Sequence, residues 1–190
     1  MCSRKLEQQR ITTNNITSIM ANFSVFLRKI LRLEGGYVNH KNDRGGCTNK
    51  GITLNTFKQY YGAVSDCNDL KSMTEEQAGQ IYKKGYWDPC WGDKIQCTKI
   101  AQIIVDWAVN SGVKTAVKNV QKIVGVTADG IMGPMTLKAI NTYSQKDLFF
   151  AIKKVRKEFY EKIVEKDSSQ KVFLKGWLNR LDEYEWCDEC

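Results

Sequence analysis

The sequence predicts a mainly α-helical fold, and three observations support this prediction. Hydrophobic residues recur at helical spacing in several segments, and in the first of these segments they are Phe23, Phe26, Leu27, Ile30 and Leu31. Only two prolines occur in 190 residues, so long helices are possible. Glycines follow several helical segments, where they can end a helix.

The first predicted helix ends at Gly35-Gly36, so Glu34 lies at its C-terminal edge. Residues 37–53 are rich in Gly, Asn, Asp and Thr, which indicates a structured loop or a short hairpin. A capping-box spacing from Thr74 to Gln77 opens a helix that extends to about Tyr86. The same periodicity predicts further helices at residues 54–61, from about 100 to Gly112, and at 113–124, 134–142, 146–165 and 170–186.

Composition and charge limit the possible function classes. Lys and Arg number 29 and Asp and Glu 21, which gives a net charge of +8, and 42% of the residues are hydrophobic. This composition is typical of globular proteins and excludes collagen, coiled coil and disorder. No apolar run is long enough to span a membrane. The positive charge favours an anionic partner, which is nucleic acid, anionic lipid or an acidic polymer such as a bacterial cell wall.

Seven cysteines are scattered along the chain, and we expect most of them to be free thiols from a reducing compartment. Cys187 and Cys190 form a C-x-x-C pair, but no second pair completes a zinc site, so we expect no metal and no organic cofactor. His40 is the only histidine, which makes a catalytic histidine an unfavourable interpretation. Residues 1–19 lack the apolar segment of a secretory signal, and we expect a disordered arm or a non-native extension before Met20.

Glu34 is the strongest candidate for catalysis. The helix macrodipole at a C-terminus favours the neutral form of a carboxyl group, and a glycosidase needs such a protonated acid. Asp43 and Thr48 follow in the Gly-rich segment, which can bring all three residues to one cleft. The alternative is that Glu34 is a solvated helix end, Asp43 a turn residue and Thr48 a residue of a strand.

Several ordered motifs resemble one known family. The segments Glu34–Asn39 and Asp43–Thr53 are similar to the N-acetylmuramidases of glycoside hydrolase family 108, whose members include phage-encoded endolysins and proteins named secretion activators. The resemblance continues to a C-terminal peptidoglycan-binding-like region and covers nearly all of the chain from Phe23 to Arg180. Its further motifs are Tyr82–Trp87, Asp106–Gly112, Val120–Thr136, Arg156–Tyr160 and Gly176–Arg180.

The resemblance implies a lysozyme-like helical fold with a small β-hairpin or loop beside the catalytic glutamate. It implies a catalytic lobe at residues 20–112 and a helical peptidoglycan-binding-like lobe at residues 113–190 packed on it. It also implies hydrolysis of the β-1,4 bond between N-acetylmuramic acid and N-acetylglucosamine. The catalytic residues would be Glu34 as general acid, Asp43 by its order in the motif, and Thr48, with Thr53 as a competitor for Thr48 and Asp106 as a rival of Asp43.

We expect six further residues to bind substrate: Tyr37, Asn49, Tyr86, Trp87, Asp106 and Asn110. Tyr86 and Trp87 can stack on sugar rings or pack in the core. Asp106 and Asn110 share one face of an apolar helix, where they either line the cleft or tie two helices together. Trp107 and Trp177 lie on predicted core stripes.

Two other function classes remain as alternatives. The first is a non-catalytic peptidoglycan-binding or secretion-assisting protein that retains the fold. The second is a nucleic-acid module formed by residues 113–141, which is disfavoured because its second helix carries only Lys138 as a charged residue. We therefore expect peptidoglycan glycan strands as partner, no nucleic acid, no membrane span, and a monomer. We also expect that the protein is synthesised in the bacterial cytoplasm without a classical signal peptide. We expect it to act at the cell wall or in the periplasm.

Overall fold

The computed structural model describes residues 20–39 and 46–187, and this part of the chain is mainly α-helical, as the sequence predicts. Asp43, His40 and the expected arm at residues 1–19 lie outside the described residues. The helices are α1 (Phe23–Glu34), α2 (Leu54–Tyr61), α3 (Cys67–Lys71), α4 (Glu75–Tyr82), α5 (Thr98–Ser111), α6 (Val113–Val124), α7 (Pro134–Thr142), α8 (Gln145–Lys166) and α9 (Lys171–Asp182). The strands are β1 (Thr48–Asn49) and β2 (Ile52–Thr53).

Helix α5 is the centre of the packing. Every residue from Ile100 to Ala108 is buried, and the helix packs against α6 and α8. Trp107 has no exposed surface, which confirms its prediction as a core residue. Because α5 is enclosed on all sides, a charged residue on it needs a partner from a neighbouring helix.

The segment after α1 contains the short antiparallel hairpin that the sequence allows. Thr48 pairs with Thr53 and Asn49 with Ile52, and Val38 forms an isolated bridge to Thr48. Lys50 and Gly51 connect the strands with φ angles of 48° and 73°. Two positive φ angles in a two-residue connection are typical of the hairpin turn that matches the twist of the strands.

One helix and two helix ends differ from the sequence prediction. Helix α3 was not predicted, because its five residues are too few to show a period, although Asp66 and Asp69 form a capping box at its start. The helix predicted to reach Tyr86 ends as an α-helix at Tyr82 and continues as a π-helix over Lys83–Trp87. Helix α9 ends at Asp182 rather than 186, after which Tyr184 is buried.

The expectation of free thiols is wrong for Cys47 and Cys67, which form a disulfide. This bond joins the residue before β1 to the first residue of α3. Cys90 and Cys187 are free, and burial raises the pKa of the Cys90 thiol to about 12. Scattered spacing did not reveal the pair, because the two cysteines meet only through the fold.

The turn at Asp129-Gly130 is held by hydrogen bonds to a buried side chain of α6. Buried Gln121 donates to Asp129 Oδ1 at 2.7 Å and to Thr136 Oγ1 at 3.0 Å. Its amide oxygen accepts from the Gly130 N–H at 2.8 Å. Gln121 thereby ties α6 to the start of α7. No helix within residues 20–39 and 46–187 is long and apolar enough to cross a membrane.

Candidate active site

Glu34 is the last residue of α1, and Gly35 ends the helix with a φ of 74°. The side chain of Glu34 is 17% exposed, so it is partly enclosed, and its Oε1 atom is buried. Its Oε1 atom lies 2.7 Å from Nη2 of Arg180, a residue of α9. The first and last helices of the described chain therefore meet at the candidate catalytic carboxylate.

The β1–β2 hairpin approaches the same carboxylate from another direction. A Cβ atom at Gly51 would overlap Oε2 of Glu34, so only a glycine lets the turn lie this close. The hydroxyl of Tyr82 donates to the Lys50 carbonyl oxygen at 2.7 Å, which holds the turn against α4. The sequence places Glu34 and the hairpin side by side, and the structure adds the contact between them.

Two tyrosines lie on the α4 side of the site. Burial raises the pKa of the Tyr82 phenol, and the negative charge of Glu34 acts in the same direction. Burial also raises the pKa of Tyr86, with Tyr60 and Glu34 as further causes. Tyr86 is half-buried near Glu34, so its predicted contact with substrate stays a prediction. Tyr37 is also half-buried, and Lys71 Nζ lies 5.7 Å from the centre of its ring.

Arg180 also binds Asp106, whose side chain has no exposed surface. Nε and Nη2 of Arg180 donate to Asp106 Oδ1 at 3.0 and 2.6 Å. Nη2 of Arg156 donates to the other carboxylate oxygen at 2.7 Å. One buried aspartate thus joins α5 to both α8 and α9.

The formal charges of this cluster cancel. Asp106 and Glu34 contribute two negative charges, and Arg156 and Arg180 contribute two positive charges. Burial alone would raise the pKa of Asp106, but the two arginines outweigh it and hold the pKa below its usual range. Since buried charges are tolerated only with partners, Glu34 is part of the charge balance that holds the helices together.

Three predicted substrate-binding residues have structural roles instead. Trp87 is fully buried, packs against Phe23 and Phe26, and donates from Nε1 to Asp93 at 2.8 Å. The buried Asn49 side chain donates to the carbonyl oxygens of Leu70 and Lys71 at 2.8 and 3.2 Å.

Asp106 is the third correction. Since it is enclosed by Arg156 and Arg180, it ties helices together rather than lining a cleft, which is the alternative that the sequence left open. The same enclosure disfavours it as a second catalytic carboxylate.

The other predicted site residues divide differently. Thr48 is half-buried in β1 and stays a candidate, whereas the Thr53 hydroxyl accepts from the Thr56 N–H as the cap of α2. Asn110 is exposed at the end of α5 and its Oδ1 accepts from Arg156 and Tyr160, both at 3.2 Å. The expected role of Asp43 stays a prediction because that residue lies outside the described part of the chain.

Sequence reasoning missed the role of Arg180, although it noted the Gly-Trp-x-x-Arg motif that contains this residue. Two features of the sequence could have indicated this role. Arg180 lies on a helix with an apolar stripe, and Asp106 lies on an otherwise apolar helix, where a buried carboxylate needs a partner. Trp177 was expected in the core, but it is half-buried and its ring stacks on Tyr160 with centroids 5.2 Å apart. Within residues 20–39 and 46–187, no three His, Cys, Asp or Glu side chains are grouped to hold a metal ion.

Comparisons with known proteins agree with the motifs. Residues 27–112 match the family described as Glycosyl hydrolase 108, and residues 115–182 match the one described as Predicted Peptidoglycan domain. The chain is 31% identical to SagA of Brucella abortus, whose structure it matches with a TM-score of 0.73 over 85% of this chain and 90% of that chain. The chain belongs to the glycosyl hydrolase 108 family.

This membership confirms the resemblance that the sequence motifs indicate, and with the C-terminal match it indicates a role that involves peptidoglycan. A comparison of the chain with curated proteins found no match. Glu34 falls within the first matched range, and Arg180 falls within the second. The carboxylate–guanidinium contact thus links the two matched regions.

Proposed function

We propose that this protein is a lysozyme that hydrolyses the β-1,4 bond between N-acetylmuramic acid and N-acetylglucosamine in peptidoglycan. The observation that carries the proposal is the position of Glu34, which lies partly exposed at the end of α1 between the hairpin and α9. Membership in a glycosyl hydrolase family supports the reaction class. Cell-wall action fits the positive net charge, because an anionic surface attracts such a protein.

In the proposed reaction, Glu34 donates its proton to the oxygen of the glycosidic bond as the bond to the anomeric carbon breaks. Water then supplies the hydroxyl group at that carbon, and the proton lost by water restores the acid. Asp43 would hold or activate this water, with help from Thr48. The fully enclosed ion pairs of Asp106 favour Asp43 over Asp106 for that role.

Arg180 has a defined part in this proposal. Its ion pair with Glu34 is favourable only while Glu34 is ionised, whereas a general acid must carry its proton when substrate is bound. Arg180 keeps two hydrogen bonds to Asp106 if the contact with Glu34 opens. Substrate can therefore displace Glu34 from Arg180 without leaving the guanidinium unpaired.

The experiment that tests the proposal compares purified wild-type protein with the Glu34→Gln variant on isolated peptidoglycan. We expect the variant to lose at least about 100-fold in the rate of glycan cleavage, the lower range for loss of general acid catalysis. Turbidity gives the rate, and borohydride reduction of the products shows whether muramic acid carries the new reducing end. Glu161→Gln is a matched control, since the Glu161 side chain is 43% exposed and its ion pair with Lys157, at 3.9 Å, lies within α8.

Equal cleavage rates for wild type and Glu34→Gln would contradict the assignment of Glu34. The second candidate function is a non-catalytic peptidoglycan-binding protein, and the ion pair that neutralises Glu34 is the observation that favours it. It predicts that wild-type protein sediments with peptidoglycan and releases no reducing ends. We further propose that the protein acts at the cell wall or in the periplasm.

A further inference from the structure

Three apolar residues lie exposed to solvent where the chain enters α7. Ile131 is 68% exposed and Met135 is 72% exposed, and Pro134 is also exposed. A single exposed apolar residue is common on protein surfaces, whereas three of them within five positions form a local patch. We call Ile131, Pro134 and Met135 the apolar tip. None of the proposed catalytic steps uses it.

Hydrogen bonds to α6 hold the apolar tip in place. Nε2 of the buried Gln121 donates to the Ile131 carbonyl oxygen at 3.1 Å and to Thr136 Oγ1 at 3.0 Å. The N–H of Ile131 donates to Asp129 Oδ1 at 2.8 Å. Met132 is buried between the exposed residues and anchors the segment in the core. The exposed side chains therefore belong to a fixed turn rather than to a loose loop.

The backbone of the apolar tip offers few free polar groups. Both the N–H and the carbonyl oxygen of Ile131 are hydrogen-bonded within the protein. Pro134 has no N–H to satisfy. Moving a backbone group into a less polar medium is costly when it loses a hydrogen bond to water. The tip therefore combines apolar side chains with a backbone that suits a less polar medium.

Lysine side chains lie beside the apolar tip. A Cβ atom at Gly130 would come within 2.6 Å of Lys114 Cγ and 3.0 Å of Lys118 Cγ, so both lysine stems pack against the residue that precedes the tip. Lys138 is exposed on α7, one helical turn after the tip. Among the described residues, none of the salt bridges uses these three lysines. Their charges are therefore available to an anionic partner.

The positive charge of the chain is concentrated in this region. Residues 113–146 contain five lysines and a single acidic residue, Asp129, so this segment carries half of the net charge of +8. The Asp129 carboxylate accepts hydrogen bonds from Gln121 and from the Ile131 N–H, so it is part of the turn itself. A surface with this charge attracts anions, and the apolar tip lies within it.

We infer that the apolar tip docks the protein on the surface of an anionic phospholipid bilayer. The lysines lie against the lipid phosphate groups, and the side chains of Ile131 and Met135 enter the layer between the headgroups. A nucleic acid or an anionic wall polymer would also pair with the lysines, but it would leave both apolar side chains in water. The inference goes beyond the proposed hydrolysis, and its test needs no peptidoglycan.

The test measures co-sedimentation of the full-length protein with sucrose-loaded vesicles. One set of vesicles is phosphatidylcholine with about one third phosphatidylglycerol, and the other is phosphatidylcholine alone. We expect binding to the anionic vesicles, weaker binding as salt is raised, and little binding to the neutral ones. Equal binding to both sets, or binding to neither, overturns the inference.

A variant of the apolar tip separates a bilayer from a soluble polyanion. We expect Ile131→Ser/Met135→Ser to lower the vesicle partition coefficient about tenfold or more, because both side chains lose apolar burial. Val64→Ser/Val172→Ser is the matched control, since these valines are 97% and 78% exposed and lie outside the tip. Unchanged binding in the tip variant contradicts docking on a bilayer, whether or not the lysines contribute. Met135→Ser alone replaces the double variant if that variant does not fold.

A lysine variant separates the local surface from the total charge. We expect Lys114→Gln/Lys118→Gln to bind the anionic vesicles about tenfold more weakly. Glutamine keeps the methylene groups that pack against the turn. Lys84→Gln/Lys154→Gln has the same net charge and removes exposed lysines elsewhere, so it should bind nearly as wild type does. Equal losses in the two variants would show that total charge alone drives the binding, which overturns the inference.

Discussion

Gly51 shows how a single residue without a side chain shapes the candidate active site. Its φ of 73° is unfavourable for other residues, and a Cβ atom at this position would overlap the Glu34 carboxylate. The backbone conformation of the turn and the position of the Glu34 carboxylate therefore both depend on the absence of a side chain at Gly51. A substitution here should therefore change the position of Glu34 as well as the stability of the turn.

We predict that Gly51→Ala lowers the free energy of unfolding by about 1–3 kcal/mol, because alanine is strained at positive φ. It should also reduce any peptidoglycan cleavage, because the new methyl group displaces Glu34. Gly125→Ala is the control, since Gly125 has a φ of 75° and open space around a Cβ atom. Urea denaturation should show similar losses for both variants, and only Gly51→Ala should lose activity. Equal activities would contradict the proposed contact.

At the scale of secondary-structure elements, a disulfide bond fixes the position of the hairpin relative to α3. Cys47 precedes β1 and Cys67 begins α3, and their separation is 20 residues. Asn49 adds hydrogen bonds from the hairpin to the carbonyl oxygens of Leu70 and Lys71. Both connections hold the hairpin against α3 on one side while Gly51 contacts Glu34 on the other.

We predict that the double variant Cys47→Ala/Cys67→Ala loses about 3 kcal/mol in the free energy of unfolding, the chain-entropy value for a loop of this length. Urea denaturation measures the loss, and hydrogen exchange should show faster opening of the hairpin amides than of α5. Cys187→Ser is the control, because Cys187 is a free cysteine. Identical denaturation midpoints for the double variant and wild type would rule out a stabilising disulfide.

At the scale of the whole molecule, local features were predictable and distant contacts were not. The period of apolar residues and the Gly35-Gly36 stop placed Glu34 at a helix end, because both signals lie within a few residues. The hydrogen bond from Arg180 to Asp106 joins residues that are 74 positions apart in the sequence, and no local sequence pattern predicts a contact over such a separation. The assignments of Trp87 and Asn49 to the substrate site were wrong because the sequence does not show which way a side chain points. An aromatic or polar residue that faces the core has the same sequence pattern as one that faces a cleft.

The buried cluster around Asp106 gives the last prediction, since it joins α5, α8 and α9. Asp106→Asn leaves Arg156 and Arg180 without their shared carboxylate, and removing one partner of a buried ion pair typically destabilises by about 3–5 kcal/mol. We expect a loss of this size in urea denaturation at neutral pH. Asp182→Asn should change stability by less than about 0.5 kcal/mol, because Asp182 is exposed and its ion pair with Lys153 spans 3.7 Å.

The same cluster should make stability depend on pH with a definite sign. The folded-state pKa of Asp106 is lowered, because attraction to its two arginines outweighs the effect of burial, so its contribution is fully present above the unfolded pKa of about 3.9. It is lost as pH falls from there through the folded-state pKa, because the unfolded chain takes up the proton first. The free energy of unfolding of wild type should therefore fall more steeply below about pH 4 than that of Asp106→Asn. Parallel curves for the two proteins would show that Asp106 does not carry this acid sensitivity.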